Sequence, residues 1–224
     1  MRFFHNLVLL AALLPVAQAP AETPTLDAIK ERVEAAWKNV SSLTGDVTLD
    51  FVMPFTETPL ALTGSGQVHY LREDKKEMYR KTVAARLPEP FVMEMKLDVL
   101  FDGKNVHTTT ELMGQSQKQQ GPPSLRQGAL PLGGAALIEA MVRDMELTVL
   151  PNATADGRAV FVLEGRAKDP QIPFSKAVFF IDQELGMHRK IDIYQPDGSV
   201  GISERIANIQ LDSKPASSLF APSR

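Results

Sequence analysis

The sequence predicts an α+β domain in which two helices accompany a meander of roughly nine to eleven antiparallel strands. Apolar and polar residues alternate over many short segments, which is the pattern of strands with one buried face. Asp-Gly pairs at 102–103, 156–157 and 197–198 supply the turns between several of these segments. Helical spacing of apolar residues occurs only twice after the first 21 residues.

The N-terminus has the pattern of a secretory signal peptide. Arg2 precedes an apolar run over residues 7–14, and small residues follow up to Ala21. Cleavage after Ala21 or Ala19 fits the pattern, and we favour Ala21 because Pro20 would directly follow a cut at Ala19. The sequence therefore predicts a signal peptide over 1–21, a single domain over 22–224, and a periplasmic location.

Composition excludes several classes of protein. The chain has no cysteine, so it forms no disulfide and lacks the residue to which a lipid anchor is attached. Its formal net charge is −3, without basic clusters, which argues against nucleic acid as a partner and allows transient membrane contact only. No apolar run after the signal peptide approaches the length of a membrane span.

The first helix begins after Thr23-Pro24, a typical cap and first-turn pair. Its apolar stripe consists of Leu26, Ile29, Val33, Trp37 and Val40. A second, shorter helix is predicted over Leu137–Met145. Before it, Gly114–Gly134 is rich in Gln, Gly and Pro and has no period, which predicts a long loop; such loops are often functional lids.

The predicted strands fall on both sides of that loop. Phe91 to Val99 gives the clearest alternation in the sequence. The other predicted strands are Val47–Met53, Leu60–Arg72, Met78–Leu87, Leu147–Leu150, Ala159–Glu164, Lys176–Asp182, Met187–Tyr194 and Gly201–Leu211.

The sequence offers no set of residues for catalysis. After the signal peptide the histidines are His69, His107 and His188, isolated from one another, and no nucleophile motif or phosphate-binding loop is present. His188 alternates with Lys190 and Asp192 on a polar face, which predicts a solvated or hydrogen-bonded strand residue and not a catalyst. We therefore expect no enzyme activity, no catalytic residues, no cofactor and no metal site.

Apolar surface is the more informative feature. A sheet with one apolar face and few helices must close on itself, dimerise or enclose a ligand. Methionine adapts its shape to varied apolar partners, although ordinary core packing also explains it. The residues predicted to line an apolar cleft are Leu49, Phe51, Met53, Phe91, Met93, Met95, Leu97, Leu137, Met141 and Met145.

Taken in order, these features resemble the LolA-type family of periplasmic lipoprotein carriers over the whole chain after the signal peptide. In the N-terminal half the resemblance rests on the helix ending near Val40-Ser41-Ser42, the strand Gly45–Met53, Gly64-Ser65-Gly66, and Leu100-Phe101-Asp102-Gly103-Lys104. In the C-terminal half it rests on Phe180-Ile181-Asp182, Leu185-Gly186, Tyr194-Gln195-Pro196-Asp197-Gly198, Asn208-Ile209, and Pro215 through Leu219-Phe220.

The resemblance implies an unclosed antiparallel β half-barrel whose concave apolar face is covered by helices. It implies a carrier that binds acyl chains of lipoproteins, or other lipids, between an inner-membrane donor and an outer-membrane acceptor complex. The loop Gly114–Gly134 and the helix Leu137–Met145 are then the lid, which Pro131 and Gly133-Gly134 allow to move. Arg72 matches the family's latch arginine, although Glu73 stands where that family commonly has proline.

A different class of function fits the same fold. An envelope-stress sensor would use the half-barrel to bind lipid or misfolded lipoprotein and would transmit that state to a signalling protein. A stable complex without onward lipid transfer distinguishes this sensor from a carrier.

Overall fold

A computed structural model describes residues 23–53, 60–86, 94–124, 129–169 and 174–221. The predicted signal peptide, Phe91 and Met93 lie outside these residues. No helix within the described ranges is long and apolar enough to cross a membrane.

The described residues form two α-helices, eleven strands and a short 3-10 helix. The helices are α1 (Leu26–Trp37) and α2 (Gly134–Asp144), and the 3-10 helix is Ser217–Phe220. The strands are β1 (Ser42–Met53), β2 (Leu60–Glu73), β3 (Lys76–Arg86), β4 (Glu94–Phe101), β5 (Val106–Leu112), β6 (Gln115–Gly121), β7 (Met145–Ala155), β8 (Arg158–Ala167), β9 (Lys176–Asp182), β10 (His188–Tyr194) and β11 (Val200–Leu211).

All eleven strands belong to one antiparallel sheet, in the order β6-β5-β4-β3-β2-β1-β11-β10-β9-β8-β7. Neighbours in the sheet are neighbours in the chain except where β1 pairs with β11, which joins the two halves of the molecule. The outermost strands β6 and β7 do not pair with each other in the described sheet, so it stays open. The predicted fold class, an α+β unclosed half-barrel, is confirmed.

The two helices pack on each other and on one half of the sheet. The cap of α1 is Thr25 and not the predicted Thr23, since Thr25 Oγ1 accepts a hydrogen bond from Ala28 N at 3.2 Å and the helix begins at Leu26. The apolar stripe of α1 then places Ile29 and Val33 in a core shared with α2 and with Phe161 and Phe179 of β8 and β9. A second core covers the other half, where β1 to β5 meet.

The prediction of a loop over Gly114–Gly134 is wrong in its first third, because Gln115–Gly121 is strand β6. Gln115 through Gln120 are exposed on both faces, so this edge strand carries no apolar residues that would alternate with polar ones. Backbone pairing with β5 alone defines it. Met113 and Gly114, both with positive φ, make the turn between the two strands.

Helix α2 also differs in its bounds from the prediction. It begins at Gly134 and ends at Asp144, so Met145 is the first residue of β7 and not the last of the helix. Strand β7 then continues to Ala155, well beyond the predicted Leu147–Leu150. Its outer part is largely exposed and polar, which again hides the strand from a search for apolar alternation.

Candidate functional site

A cleft of about 180 Å³ lies on the concave face of the sheet, where its two halves meet. Its wall is formed by side chains of β1 to β4, β10 and β11, and its roof by the segment before α2. The lining residues are Leu49, Phe51, Val68, Tyr79, Lys81, Leu97, Leu130, Leu132, His188, Ile191, Ile193, Ile202 and Glu204.

The alternation of strand side chains explains which residues reach the cleft. On β1, Leu49 and Phe51 point to the concave face, and the polar residues between and beside them point away. Tyr79 and Lys81 have the same relation on β3. On β11 the concave positions include Ile202 and Glu204, which pair in register with Phe51 and Leu49 of β1.

The roof of the cleft is the segment Ala129–Gly133, and it is hydrogen-bonded to the sheet on two sides. Tyr79 Oη donates to the carbonyl oxygen of Leu130 at 2.7 Å, and the backbone N–H of His188 donates to that of Leu132 at 3.2 Å. Leu130 and Leu132 are almost fully buried over the cleft. The roof is thus the last part of the predicted lid loop, whereas α2 itself packs elsewhere.

Gly133, the last residue of the roof, and Gly134, the first residue of α2, permit a close approach to Trp37 of α1. A Cβ on Gly134 would lie 2.5 Å from Trp37 Cδ1, and the residue has φ +73°, a conformation that favours glycine. The pair therefore has a packing role in this structure. Its predicted role in lid movement stays a prediction.

The cleft has a buried inner part and a more open mouth. Val68 is fully buried at the inner part, and Lys81, His188 and Glu204 are each at most 9% exposed there. At the mouth, Phe51, Leu97 and Ile193 are half-buried, and Ile202 is 39% exposed. A ligand therefore meets apolar side chains first and polar ones further in.

The polar residues of the inner part form one bonded group, here called the inner trio: Lys81, His188 and Glu204. Lys81 Nζ lies 2.5 Å from Glu204 Oε2, and His188 Nε2 lies 3.3 Å from Glu204 Oε1. His188 Nδ1 is buried and has no hydrogen-bond partner among the described residues. Since Lys81 comes from β3 and Glu204 from β11, the ion pair spans two intervening strands on the concave face.

The inner trio keeps Glu204 ionised despite its burial. Burial alone would raise the pKa of this carboxyl, but the Lys81 ammonium and the hydrogen bond from His188 outweigh it and lower the pKa to about 2. Burial also raises the pKa of the Tyr79 hydroxyl, with a contribution from the Glu204 charge, so this hydroxyl remains a hydrogen-bond donor to the roof.

The structure brings three of the predicted cleft residues together at the cleft, namely Leu49, Phe51 and Leu97. Met95 is half-buried beside it, in a small cluster with Phe51, Leu62 and Ala85. Met53 is the last residue of β1, and Phe91 and Met93 lie outside the described residues.

The three predicted residues of the second helix do not line the cleft. Leu137, Met141 and Met145 are at most 1% exposed and lie in the core between the helices and β8–β9. Their apolar stripe faces the sheet, as amphipathic spacing requires, but the adjoining part of the sheet is filled by Phe161 and Phe179. Their side chains are therefore closed off from a ligand in this structure.

Arg72, the predicted latch, binds the end of α1. Its guanidinium donates to the carbonyl oxygens of Lys38 at 2.9 Å and of Trp37 at 3.2 Å, and pairs with Glu77 at 2.7 Å. Glu77 in turn accepts a hydrogen bond from Trp37 Nε1 at 3.2 Å. Arg72 thus binds the carbonyl oxygen of Trp37, whose side chain packs against the Gly133-Gly134 pair.

Sequence analysis missed the inner trio, although two of its members leave a signal. Lys81 and Glu204 each interrupt an otherwise apolar face of their strand, between Tyr79 and Val83 and between Ile202 and Ile206. Of the two predictions for His188, a solvated or a hydrogen-bonded residue on a polar face, the structure excludes the first: His188 is 4% exposed and its Nε2 lies 3.3 Å from Glu204 Oε1. An irregularity in the pairing of β10 with β9 between His188 and Lys190 breaks the alternation there.

The described residues contain no group of three or more His, Cys, Asp or Glu side chains that is arranged to hold a metal ion. The inner trio consists of a carboxylate, an ammonium group and an imidazole, and the described lining of the cleft contains no serine, threonine or cysteine that could act beside them as a nucleophile. The geometry is that of a binding site with a polar inner end.

No protein-family model and no curated protein sequence matches the chain. Solved structures do match it. An uncharacterized conserved protein from Thermus thermophilus is 11% identical, with a TM-score of 0.51, over 88% of this chain and 94% of that one.

Two further matches carry names related to the family suggested by the sequence. A putative outer membrane lipoprotein-sorting protein domain from Vibrio parahaemolyticus is 12% identical, with a TM-score of 0.42, over 86% of this chain and 94% of that one. A LolA superfamily protein from Nitrosomonas europaea is 16% identical, with a TM-score of 0.37, over 89% and 98%. At 11% identity, the likeness to the Thermus thermophilus protein shows a shared fold alone.

Proposed function

We propose that this protein is a periplasmic carrier that shields the acyl chain of a lipid or lipid-modified protein in the concave cleft. The observation that carries the proposal is the cleft itself, a roofed apolar groove at the seam between the two halves of an open sheet. The secretory signal in the sequence and the ordered LolA-type motifs support it. By that resemblance, its partners are an inner-membrane donor and an outer-membrane acceptor complex.

The size of the cleft indicates a closed resting state. A cavity of roughly 150 Å³ holds a ligand of the size of benzene, and the cleft is about 180 Å³. An acyl chain of about ten methylenes gains roughly 8 kcal/mol on burial but needs more room than this. Loading therefore requires the roof segment Ala129–Gly133 to move away from the sheet.

The bonds that hold the roof are suited to such movement. They are few, and the bond from Tyr79 to Leu130 contributes only about 1 kcal/mol net. Moving the roof also exposes Leu130 and Leu132, at roughly 1.5 to 3 kcal/mol each. The roughly 8 kcal/mol gained by burying an acyl chain offsets these costs, so a ligand displaces the roof without unfolding the sheet. Release then needs an acceptor that offers the chain an apolar environment at least as favourable.

The experiment that tests the proposal is binding and transfer with the purified protein. An apolar fluorescent probe should bind to the cleft and be displaced by acylated ligands, and radiolabelled acyl ligand should pass from loaded protein to acceptor liposomes. Phe51→Asp, at the mouth, should abolish both, while the matched variant Asp50→Asn, on the opposite face of β1, should leave both unchanged. Absence of probe binding to the wild-type protein would refute the proposal.

A further inference from the structure

The inner end of the cleft carries charged side chains, and contact between them and the terminal methyl group of a hydrocarbon chain is unfavourable. A ligand that enters tail-first places its terminal methyl group against Lys81, His188 and Glu204. Such a contact strips water from the charged groups and gives them no new hydrogen bond, which is unfavourable. A polar group carried into the cleft ahead of the chain avoids this cost.

The inner trio has unused hydrogen-bonding capacity. The Lys81 ammonium has three donors, and within the described structure its one hydrogen bond goes to Glu204. His188 Nδ1 has no partner there. A hydroxyl or carbonyl oxygen at the inner end would accept from Lys81, and a hydroxyl would also donate to His188 or Glu204.

The charge balance of the inner trio favours a neutral polar group. Lys81 and Glu204 already neutralise each other at 2.5 Å, so an additional carboxylate or phosphate would leave a net negative charge in a buried site. A neutral oxygen binds without changing that balance.

Resting on the proposed function and narrowing its cargo from lipid-modified protein to free lipid, we infer that the cleft selects single-chain amphiphiles that enter with a neutral oxygen-bearing end first. The inner trio is the recognition site for that end. Their hydrocarbon tail then lies along Leu49 and Ile191, and their last carbons reach Phe51 and Ile202 at the mouth. An acyl chain whose head is a bulky sugar or polypeptide enters tail-first only and binds less well.

The test compares two ligands with the same chain and different heads. Decanol can enter in either direction, whereas decyl maltoside, used below its critical micelle concentration, can enter only tail-first. Displacement of an apolar fluorescent probe gives the affinity of each for the wild type and for Lys81→Met/Glu204→Leu, in which His188 is the one polar side chain left of the inner trio. Replacement of a buried ion pair by apolar residues of similar volume is often neutral for stability.

In the wild type we expect decanol to bind more tightly than decyl maltoside. In the double variant this preference should fall about tenfold, because the hydrogen bond to a charged partner is lost while tail-first entry becomes favourable. Lys176→Met/Glu164→Leu removes a longer, less buried ion pair on the other face of the sheet and should keep the wild-type preference. An unchanged preference in the Lys81→Met/Glu204→Leu variant would overturn the inference.

Orientation in the wild type provides a second test that needs no variant. Nuclear Overhauser effects should join the CH₂OH protons of bound decanol to the methyl groups of Val68, and its terminal methyl group to Ile202. The reverse pattern overturns the inference even if the double variant fails to fold. If neither ligand displaces the probe, the proposed carrier function fails; if both bind the wild type and the double variant with equal preference, only the inference fails.

Discussion

Glu204 makes the free energy of unfolding depend on pH in the acidic range, and the substitution Glu204→Gln should remove this dependence. The pKa of its carboxyl falls from the ordinary 4.5 to about 2 in the folded protein, against the effect of burial, because Lys81 and His188 stabilise the carboxylate. One pKa unit corresponds to roughly 1.36 kcal/mol, so the difference between these values is worth about 3 kcal/mol of folding free energy.

The lowered pKa of Glu204 makes the folded protein less stable as the pH falls. A carboxyl with a lowered pKa in the folded state contributes stability that is fully present above its unfolded pKa of 4.5 and is lost as the pH falls toward 2. Glu204→Gln lacks this contribution at every pH. The free energy of unfolding of the wild type minus that of Glu204→Gln should therefore shrink by about 3 kcal/mol between pH 6 and pH 2.

Urea titrations at a series of pH values, followed by circular dichroism, measure that difference. Glu139→Gln is the matched control, since Glu139 pairs with Lys30 at the surface and such pairs contribute at most about 1 kcal/mol. Its difference from the wild type should stay small at all pH values. A Glu204→Gln difference that is constant from pH 6 to pH 2 would refute the assignment of Glu204 as a buried carboxylate held by Lys81.

Three further substitutions test the roof, the latch and the mouth. Tyr79→Phe removes the bond to Leu130 and should lower stability by about 1 kcal/mol while accelerating probe entry in stopped-flow experiments; unchanged entry would separate Tyr79 from roof movement. Arg72→Leu should increase amide hydrogen exchange at the end of α1 and alter ligand release, and unchanged exchange would contradict its role at that end. Leu97→Asp should abolish probe binding in a folded protein, whereas Lys96→Asp, on the opposite face of β4, should not. If folded Leu97→Asp still bound the probe, Leu97 would not be part of the binding site.

The fold was largely predictable because its strands have one buried face. The predicted Lys176–Asp182 strand agrees with β9 residue for residue, since turn residues bound it on the C-terminal side and its apolar run is buried on both faces. The prediction failed at β6 and along the outer part of β7, where both faces are exposed and pairing is made by the backbone alone. Apolar periodicity carries no information about such edge strands.

The candidate site was less predictable because it depends on which strands curl toward each other. Leu49, Phe51 and Leu97 follow from alternation within single strands, and they do line the cleft. The pairing of Lys81 with Glu204 depends on the β1–β11 contact between the two halves of the chain and on curvature of the sheet, which no local pattern encodes. For Leu137 and Met141 the sequence pattern predicted burial but not the site of burial. An apolar helix face does not show whether its residues pack in the core or line a cleft.

The position of the inner trio connects ligand binding to the assembly of the whole sheet. β1 to β6 form one meander and β7 to β11 another, and β1–β11 is the only backbone-paired pair of strands that joins them in the described sheet. The cleft takes Leu49 and Lys81 from the first meander and His188 and Glu204 from the second, so it exists only when the two are joined. A ligand that bonds to the inner trio binds only the state in which the two meanders are paired. Its binding therefore stabilises that state, and more strongly at higher ligand concentration. Amide exchange along β1 and β11 should therefore slow on loading, whereas exchange along the distant edge strand β6 should not.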